Sequence, residues 1–483
     1  VAYFAFLFVL AVPAALAAGI RLPAQATLPY MPVELEPPAV MFLAALPWVL
    51  AAGGLGRISA SLLGVWSGVW LALSETHSPF TPLLIGILAL AFAASVRQMY
   101  RTPFYRALRH PLVAALALSA PFAALVILAS FFEVNGGLAV RLDYAITKTW
   151  PFILARCLEM LIAALAAEGL LLARARFWQR PAILLPSPAE TSLKTRFAYT
   201  TLPLVLVMIF TLIVADWLVA GAAAREMLRK QLSSTADVAA GSLPYFMEAG
   251  QNLILNLATP ELAETPRSQL RDALSERLRW VPYFRQLTLF DESGVAVGGY
   301  PESNFDAISS TPEEQVGITL ALKGVGIQSY VVPPALDEKT AQISFLALIQ
   351  NEQGEPLGVL LGRTDLDSNP FTQTAVEALE SMEEINGEGL VLDESNRMLY
   401  SHNPSLLMQN YLGQVPAGEQ FFDDTSSQGT RQLVYAQPVP GRAWNVILTV
   451  PAQHVQQVAL NIAIPLLLIL MAVAGVLFVL LRW

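Results

Sequence analysis

The chain has 483 residues, of which 55% are hydrophobic and 14% charged, and a formal net charge of −9. Soluble domains carry about a quarter charged residues, so this composition excludes a wholly water-soluble protein. Its acidic balance excludes nucleic acid and an anionic lipid surface as partners of the polar part. The apolar residues are unevenly spread: residues 1–222 are almost continuously apolar, whereas 223–457 read as a soluble domain with turns, charges and alternating strands. The expected fold class is therefore an α-helical transmembrane bundle of about eight helices plus an α+β domain in water.

A helix needs about 20 apolar residues to cross the hydrocarbon core. Such windows centre on residues 1–18, 39–55, 58–75, 82–97, 111–132, 151–173, 198–221 and 458–481. Six precede a boundary at residue 197, a seventh span fills 198–222, and an eighth fills 458–483. On alternate sides of this zigzag, one side holds Arg57, Arg97, Arg101, Arg106, Arg109, Arg174, Arg176, Arg180, Lys194, Arg196 and Arg482, and the other only Arg21, Arg141 and Lys148. Eleven against three assigns the first side to the cytoplasm. Residues 223–457 are then extracytoplasmic, and the expected location is the bacterial inner membrane, with lipid as a surrounding partner. The chain begins at Val1 and stops at Trp483, each within or directly after an apolar run, so both ends are expected to continue.

Polar residues inside spans are costly and mark function. Arg156 and Glu159 stand three apart on the sixth span, able to pair on one helix face. Near the same outer level lie Glu75 and His77 after the third span, with Trp70. Together Arg156, Glu159, Glu75, His77 and Trp70 outline a ligand pocket in the membrane module. The competing reading is a neutral pair that fixes helix packing, with tryptophans of the interfacial belt. The Gly-rich run Leu63-Gly-Val-Trp-Ser-Gly-Val-Trp70 resembles the substrate-binding components of energy-coupling-factor transporters and other membrane sensor modules, which implies a second small-molecule input. The lone Cys157 lies in an apolar run and reads as a buried thiol.

Beyond the seventh span, Trp217, Ala220, Ala224, Leu228, Leu232, Thr235, Ala239, Ser242 and Phe246 recur at helical spacing, predicting a stalk helix over 223–258. Its stripe suits a helix packed on its own domain or a homodimer seam. A run of helix formers over 267–280 follows. Then the period changes: Gln286-Leu-Thr-Leu-Phe290, Asp291-Glu-Ser-Gly294 and Val295-Ala-Val297 form a hairpin signature. The pattern returns 102 residues later as Gly389-Leu-Val-Leu392, Asp393-Glu-Ser-Asn396 and Arg397-Met-Leu-Tyr400. Each copy ends in a second hairpin, residues 342–366 around Asn351-Glu-Gln-Gly354 and residues 432–450 around Pro440-Gly441. Such a repeat predicts two tandem α+β modules, a distal one over 281–370 and a proximal one over 371–451.

The stalk, the paired Asp-turn hairpins and the closing Gly-Arg-Ala-Trp-Asn-Val-Ile-Leu-Thr-Val-Pro of residues 441–451 resemble the double Cache sensors, tandem PAS-like domains of bacterial receptors. The resemblance covers residues 223–457. It implies a small ligand in the distal module, a dimer through the stalk, and a signal passed by the last helix to a HAMP linker and a kinase, cyclase, phosphatase or chemotaxis output. The amino-acid-binding branch holds its ligand with an Arg-x-Trp-Tyr cluster and a later Asp. Tyr300, Tyr330 and Asp365 stand near those pocket positions, but the Arg-Trp-Tyr cluster is missing, which puts amino-acid sensing in doubt because a carboxylate wants a bidentate cation. Asp365 also suits a cap for a following helix.

No catalytic motif, cofactor-binding motif or metal-ligand spacing occurs. The sequence therefore reads as a signal-transduction receptor for an unidentified small molecule. The alternative is a transporter or membrane enzyme with an accessory extracytoplasmic domain.

Overall fold

The computed structural model describes residues 2–16, 19–22, 37–173, 178, 184–187, 190, 192–301, 310–334, 340–426 and 431–482. The chain forms two compact units, one of residues 1–224 and 455–483, the other of residues 225–454.

The first unit opens with helix α1 (Ala2–Leu16) and an antiparallel strand pair, β1 (Gly19–Arg21) and β2 (Ala39–Met41). Helices α2 (Leu46–Gly54), α3 (Arg57–Leu71), α4 (Thr81–Val96), α5 (Pro103–Ala107), α6 (Pro111–Glu133), α7 (Leu138–Asp143) and α8 (Trp150–Ala173) follow. The Gly-rich run expected near residue 64 is a packing surface: a Cβ on Gly64 would meet Ala89 at 2.6 Å, and one on Gly68 would meet Pro82 at 2.6 Å. Small residues here let α3 and α4 approach backbone to backbone, the usual solution where lipid gives helices no hydrophobic reason to associate.

Among the described residues, five helices are long and apolar enough to cross a membrane: Arg57–Thr76, Pro111–Glu133, Trp150–Ala173, the Thr195–Leu257 segment and Ala452–Leu477. Ala2–Leu16 and Thr81–Val96 are shorter apolar helices. The expected second span over 39–55 needs correction, because it is the strand β2 followed by the nine-residue α2. At 1.5 Å per residue α2 reaches about 14 Å, half of a hydrocarbon core. Pro37 and Pro38 hold the entry extended, and Pro47 sits in the first turn of α2, so the apolar window is not one helix.

Helix α9 (Leu193–Leu257) carries the chain from the first unit into the second, with the boundary at Ala224. The second unit continues with α10 (Pro260–Ala263), α11 (Arg267–Trp280), β3 (Gln286–Asp291), β4 (Ala296–Tyr300), α12 (Pro312–Leu322), β5 (Ile327–Val332), β6 (Gln342–Gln350) and β7 (Pro356–Asp365). After α13 (Gln373–Glu380) come β8 (Glu388–Leu392), β9 (Met398–Tyr400), β10 (Gln420–Thr425), β11 (Arg431–Pro438) and β12 (Asn445–Pro451), and then α14 (Ala452–Arg482), which returns to the first unit.

The two sheets have the orders β4-β3-β7-β6-β5 and β9-β8-β12-β11-β10. Numbered within each copy, both read second, first, fifth, fourth, third strand. The first hairpin of each copy turns on an aspartate. Asp291 Oδ1 accepts the amides of Ser293 at 2.9 Å and Val295 at 3.0 Å. Asp393 Oδ1 does the same for Ser395 and Arg397, each at 2.8 Å. Gly294 and Asn396 take the positive φ, 78° and 60°, that such turns require.

Candidate ligand site on the distal sheet

Side chains alternate across a strand, so the register sorts every residue of the distal sheet to one of two faces. Leu287, Gly362 and Phe345 align across β3, β7 and β6. This row faces α9: a Cβ on Gly362 would meet Ile254, and one on Gly250 would meet Phe345 and the Tyr283 hydroxyl, each within 2.9 Å. Phe246, Tyr283, Phe284 and Phe345 pack here, and Tyr283 donates to the Phe246 carbonyl at 2.6 Å. Burial raises the Tyr283 hydroxyl well above the ordinary tyrosine range.

The opposite face is divided. Phe290, Leu346, Leu348, Val359 and Leu361 are buried under Ile318 and Ala321 of α12. One step along the strands, Gln286, Arg363, Ser344 and Tyr330 align in a single cross-strand row. Gln286, Thr288, Gln342, Ser344, Arg363 and Asp365 are all buried on this face. Buried polar groups cost several kcal/mol (roughly 2–7) unless bonded, so such a concentration is unexpected in a packing surface.

Its charges are matched in pairs. Arg363 donates from Nε to Glu314 Oε1 at 2.9 Å and from Nη2 to Oε2 at 2.5 Å. Glu314 is completely buried and also closes the capping box of α12, accepting the Thr311 amide at 2.9 Å while Thr311 accepts the Glu314 amide at 3.2 Å. One carboxylate thus fixes the helix start and holds it to the sheet. Asp365 pairs with Arg285 at 3.1 Å and accepts the Ser368 amide at 2.9 Å. Thr340, just before β6, is buried with its hydroxyl unpartnered among the described residues.

The internal repeat supplies a comparison within the chain. Gln286 plus the 102-residue offset is Glu388, and its row runs Glu388, Thr449, Val434, Phe422. The proximal counterpart of the buried arginine is thus a threonine, that of Ser344 a valine, and that of Tyr330 a phenylalanine. This face of the proximal sheet closes on Leu390, Leu392, Met398, Val434, Ala436 and Ile447. Two sheets of one topology therefore differ in polarity at two positions of this row.

Of the three distal residues singled out from sequence, Tyr330 and Asp365 share the polar face. Tyr300 does not: it pairs with Leu287 and belongs to the face toward α9. Tyr330 lies against Gly317, where a Cβ would be 2.4 Å from its ring. Its hydroxyl donates to Gln328, whose amide in turn donates to the Gly317 carbonyl at 3.0 Å. Asp365 is not a helix cap, because α13 starts only at Gln373 and Asp365 closes the local turn with Ser368. Glu314, Arg363, Ser344 and Gln286 were missed. The signals for them were the Thr311-Pro-Glu-Glu314 capping box and the polar alternate positions of β6 and β7.

In the first unit, Arg156 and Glu159 pair at 2.8 Å on α8, both buried. They turn to the backbone of β2. Glu159 accepts the Met41 amide at 2.6 Å, Arg156 donates to the Ala39 carbonyl at 2.9 Å, and Glu75 accepts the Ala39 amide at 2.5 Å. Because β1 pairs only one edge of β2, these side chains complete the other. Irregular backbone persists at membrane depth only when its polar groups are satisfied in this way. Trp70 packs on the neighbouring cluster of Ala39, Met41, Ala44 and Leu71. The exposed His77 sits at the left-handed end of the turn after α3, φ 50°, and is not part of this arrangement.

No protein-family model matches the chain, and no curated protein matches it. Among solved structures, it is similar to the ligand-binding domain of the Pseudomonas aeruginosa PAO1 amino acid chemoreceptor PctC in complex with GABA, at 18% identity over 45% of this chain and 97% of that one, TM-score 0.37. It is also similar to that of the Pseudomonas fluorescens chemoreceptor CtaA with L-isoleucine, at 18% identity over 48% and 96%, TM-score 0.36. A third, the P. aeruginosa PctB domain with L-Arg, has 20% identity over 47% and 97%, TM-score 0.36. These neighbours are ligand-binding domains of chemoreceptors, and each match covers about half of this chain.

Proposed function

We propose that the chain is a bacterial transmembrane receptor that senses a small extracytoplasmic molecule through a double Cache domain. The ligand sits on the polar face of the distal sheet, beside Ser344, Gln286 and the Arg363–Glu314 pair. The observation that carries this reading is the difference between the two repeats: the distal row has a buried arginine and serine, Arg363 and Ser344, where the proximal row has Thr449 and Val434. Asp365 and Tyr330 border the site as positioning residues.

The signal leaves through helices that are continuous with the membrane part. α9 enters the second unit without a break, and α14 starts at Ala452, directly after the last proximal strand. A ligand that favours one arrangement of the distal sheet on α9 shifts a dimer between two packings, because packed interfaces switch rather than deform. Met227, Val238 and Tyr245 are exposed apolar residues on the stalk and suit the homodimer seam. Without a crossing at 39–55 Arg21 joins the side of Arg57, and the Lys/Arg asymmetry keeps its sense, which supports an extracytoplasmic second unit in the inner membrane. For Arg156, Glu159 and Glu75, engagement by β2 supports an anchoring role in the membrane module.

Thermal-shift screening of the full chain in detergent against small metabolites tests the ligand claim. A stabilising compound whose effect is lost on Ser344→Val is expected. A compound that stabilises parent and variant equally sinks the distal-site reading. Single cysteines at residues 227, 238 and 245 should each cross-link twin chains in membranes, and monomers throughout would remove the dimer from the scheme.

A further inference from the structure

We infer that the distal site takes an uncharged small molecule bearing several hydroxyl or amide groups and turns away carboxylates, free amino acids included; this rests on the distal-site reading above. The described charges on this face are already consumed within the protein. Arg363 gives two hydrogen bonds to Glu314, and Asp365 is matched by Arg285 and by the Ser368 amide. What is left for a ligand is uncharged: the amide of Gln286 and the hydroxyl of Thr288, joined by a long 3.4 Å bond, the hydroxyl of Ser344, which donates to the Tyr330 carbonyl at 3.5 Å, and the buried hydroxyl of Thr340, which has no partner among the described residues.

A carboxylate entering the site must take the Arg363 guanidinium from Glu314. Glu314 cannot follow it out, because the same carboxylate accepts the Thr311 amide and fixes the first turn of α12. The result is a buried carboxylate without its cation, a penalty on the order of a hundredfold or more in affinity. An ammonium group finds Glu314 already holding a buried guanidinium, and Asp365 already satisfied by the half-exposed Arg285 and the Ser368 amide. An uncharged ligand disturbs neither pair and supplies the hydrogen bonds that hydroxyls and amides at the row call for. Selectivity of this kind is negative as much as positive: the ion pairs turn charge away while the weakly bonded hydroxyls recognise the neutral molecule.

Isothermal titration of the full chain in nanodiscs against three panels decides the matter: neutral polyols, sugars and simple amides; the common L-amino acids with GABA; and di- and tricarboxylates. The expected result is binding from the first panel alone, weakened at least tenfold by Ser344→Val and by Gln286→Leu, with unfolding temperatures of both variants near the parent. An amino acid or carboxylate that binds, with affinity lost on Ser344→Val, overturns the ligand class and leaves the sensor intact. Failure of the whole neutral panel overturns it as well. Neutral-panel binding unchanged in both variants puts the ligand elsewhere and removes the distal-site reading together with this inference.

Discussion

Arg363 and Glu314 show how much one buried pair can settle. Replacing Arg363 by Met leaves the Glu314 carboxylate buried without its cation, which should cost about 3–5 kcal/mol and be read as lost hydrogen-exchange protection across β6, β7 and α12. Adding Glu314→Gln, which keeps the capping-box acceptor, should restore more than half of it; no recovery would mean that the pair is not the source of the loss. Tyr411 offers a second test, in the proximal module. Burial first, then the nearby Asp424 and Glu388 charges, push its hydroxyl up to about 12. The unfolded value is about 10, so the protonated phenol contributes stability that is complete below about pH 10 and is lost as pH rises through about 12. Spectrophotometric titration should show the tyrosinate amplitude near pH 12, which Tyr144 shares, fall by one tyrosine in Tyr411→Phe, and coincident curves for the two proteins would contradict the assignment.

At the scale of elements, β2 and the sheets carry opposite lessons. β2 is held by three side chains from α8 and the turn after α3, so Glu159→Ala removes the Met41 acceptor and strips Arg156 of its counter-ion at once. The detergent-solubilised chain should lose about 3–5 kcal/mol, measured as a fall of several degrees in unfolding temperature; Cys157→Ala on the same helix, at a half-buried thiol, should fall far less. The hairpins were legible in advance, because alternation and turn chemistry are local: the distal closing hairpin expected at 342–366 is β6 with β7, and the Asp turns stand at Asp291 and Asp393. The second apolar window was not, since hydropathy counts apolar residues without seeing that Pro37 and Pro38 keep the chain extended. The polar face was half legible. Tyr330 and Asp365 were found from the resemblance, but register decides faces, and one residue of register sends Tyr300 to the other side. Arg363 and Glu314 are 49 residues apart, a partnership that no local pattern announces.

At the scale of the whole molecule, composition divides the chain into an apolar and a polar half. An apolar half cannot be dissolved in water and a polar half cannot be buried in lipid, so the two units are set by composition before any motif is read. The two modules share one topology and differ at single positions, Arg363 and Ser344 in one standing where Thr449 and Val434 stand in the other. Covalent continuity through α9 and α14 links that difference to the membrane. The most direct test is hydrogen-exchange mass spectrometry of the full chain in nanodiscs, with and without a pooled small-metabolite fraction. Slowed exchange in β5, β6, β7 and α12, abolished by Ser344→Val, is the expected result, with unchanged exchange in β10 and β11. Protection centred on β2 and α8 instead, or on the proximal sheet, would contradict it.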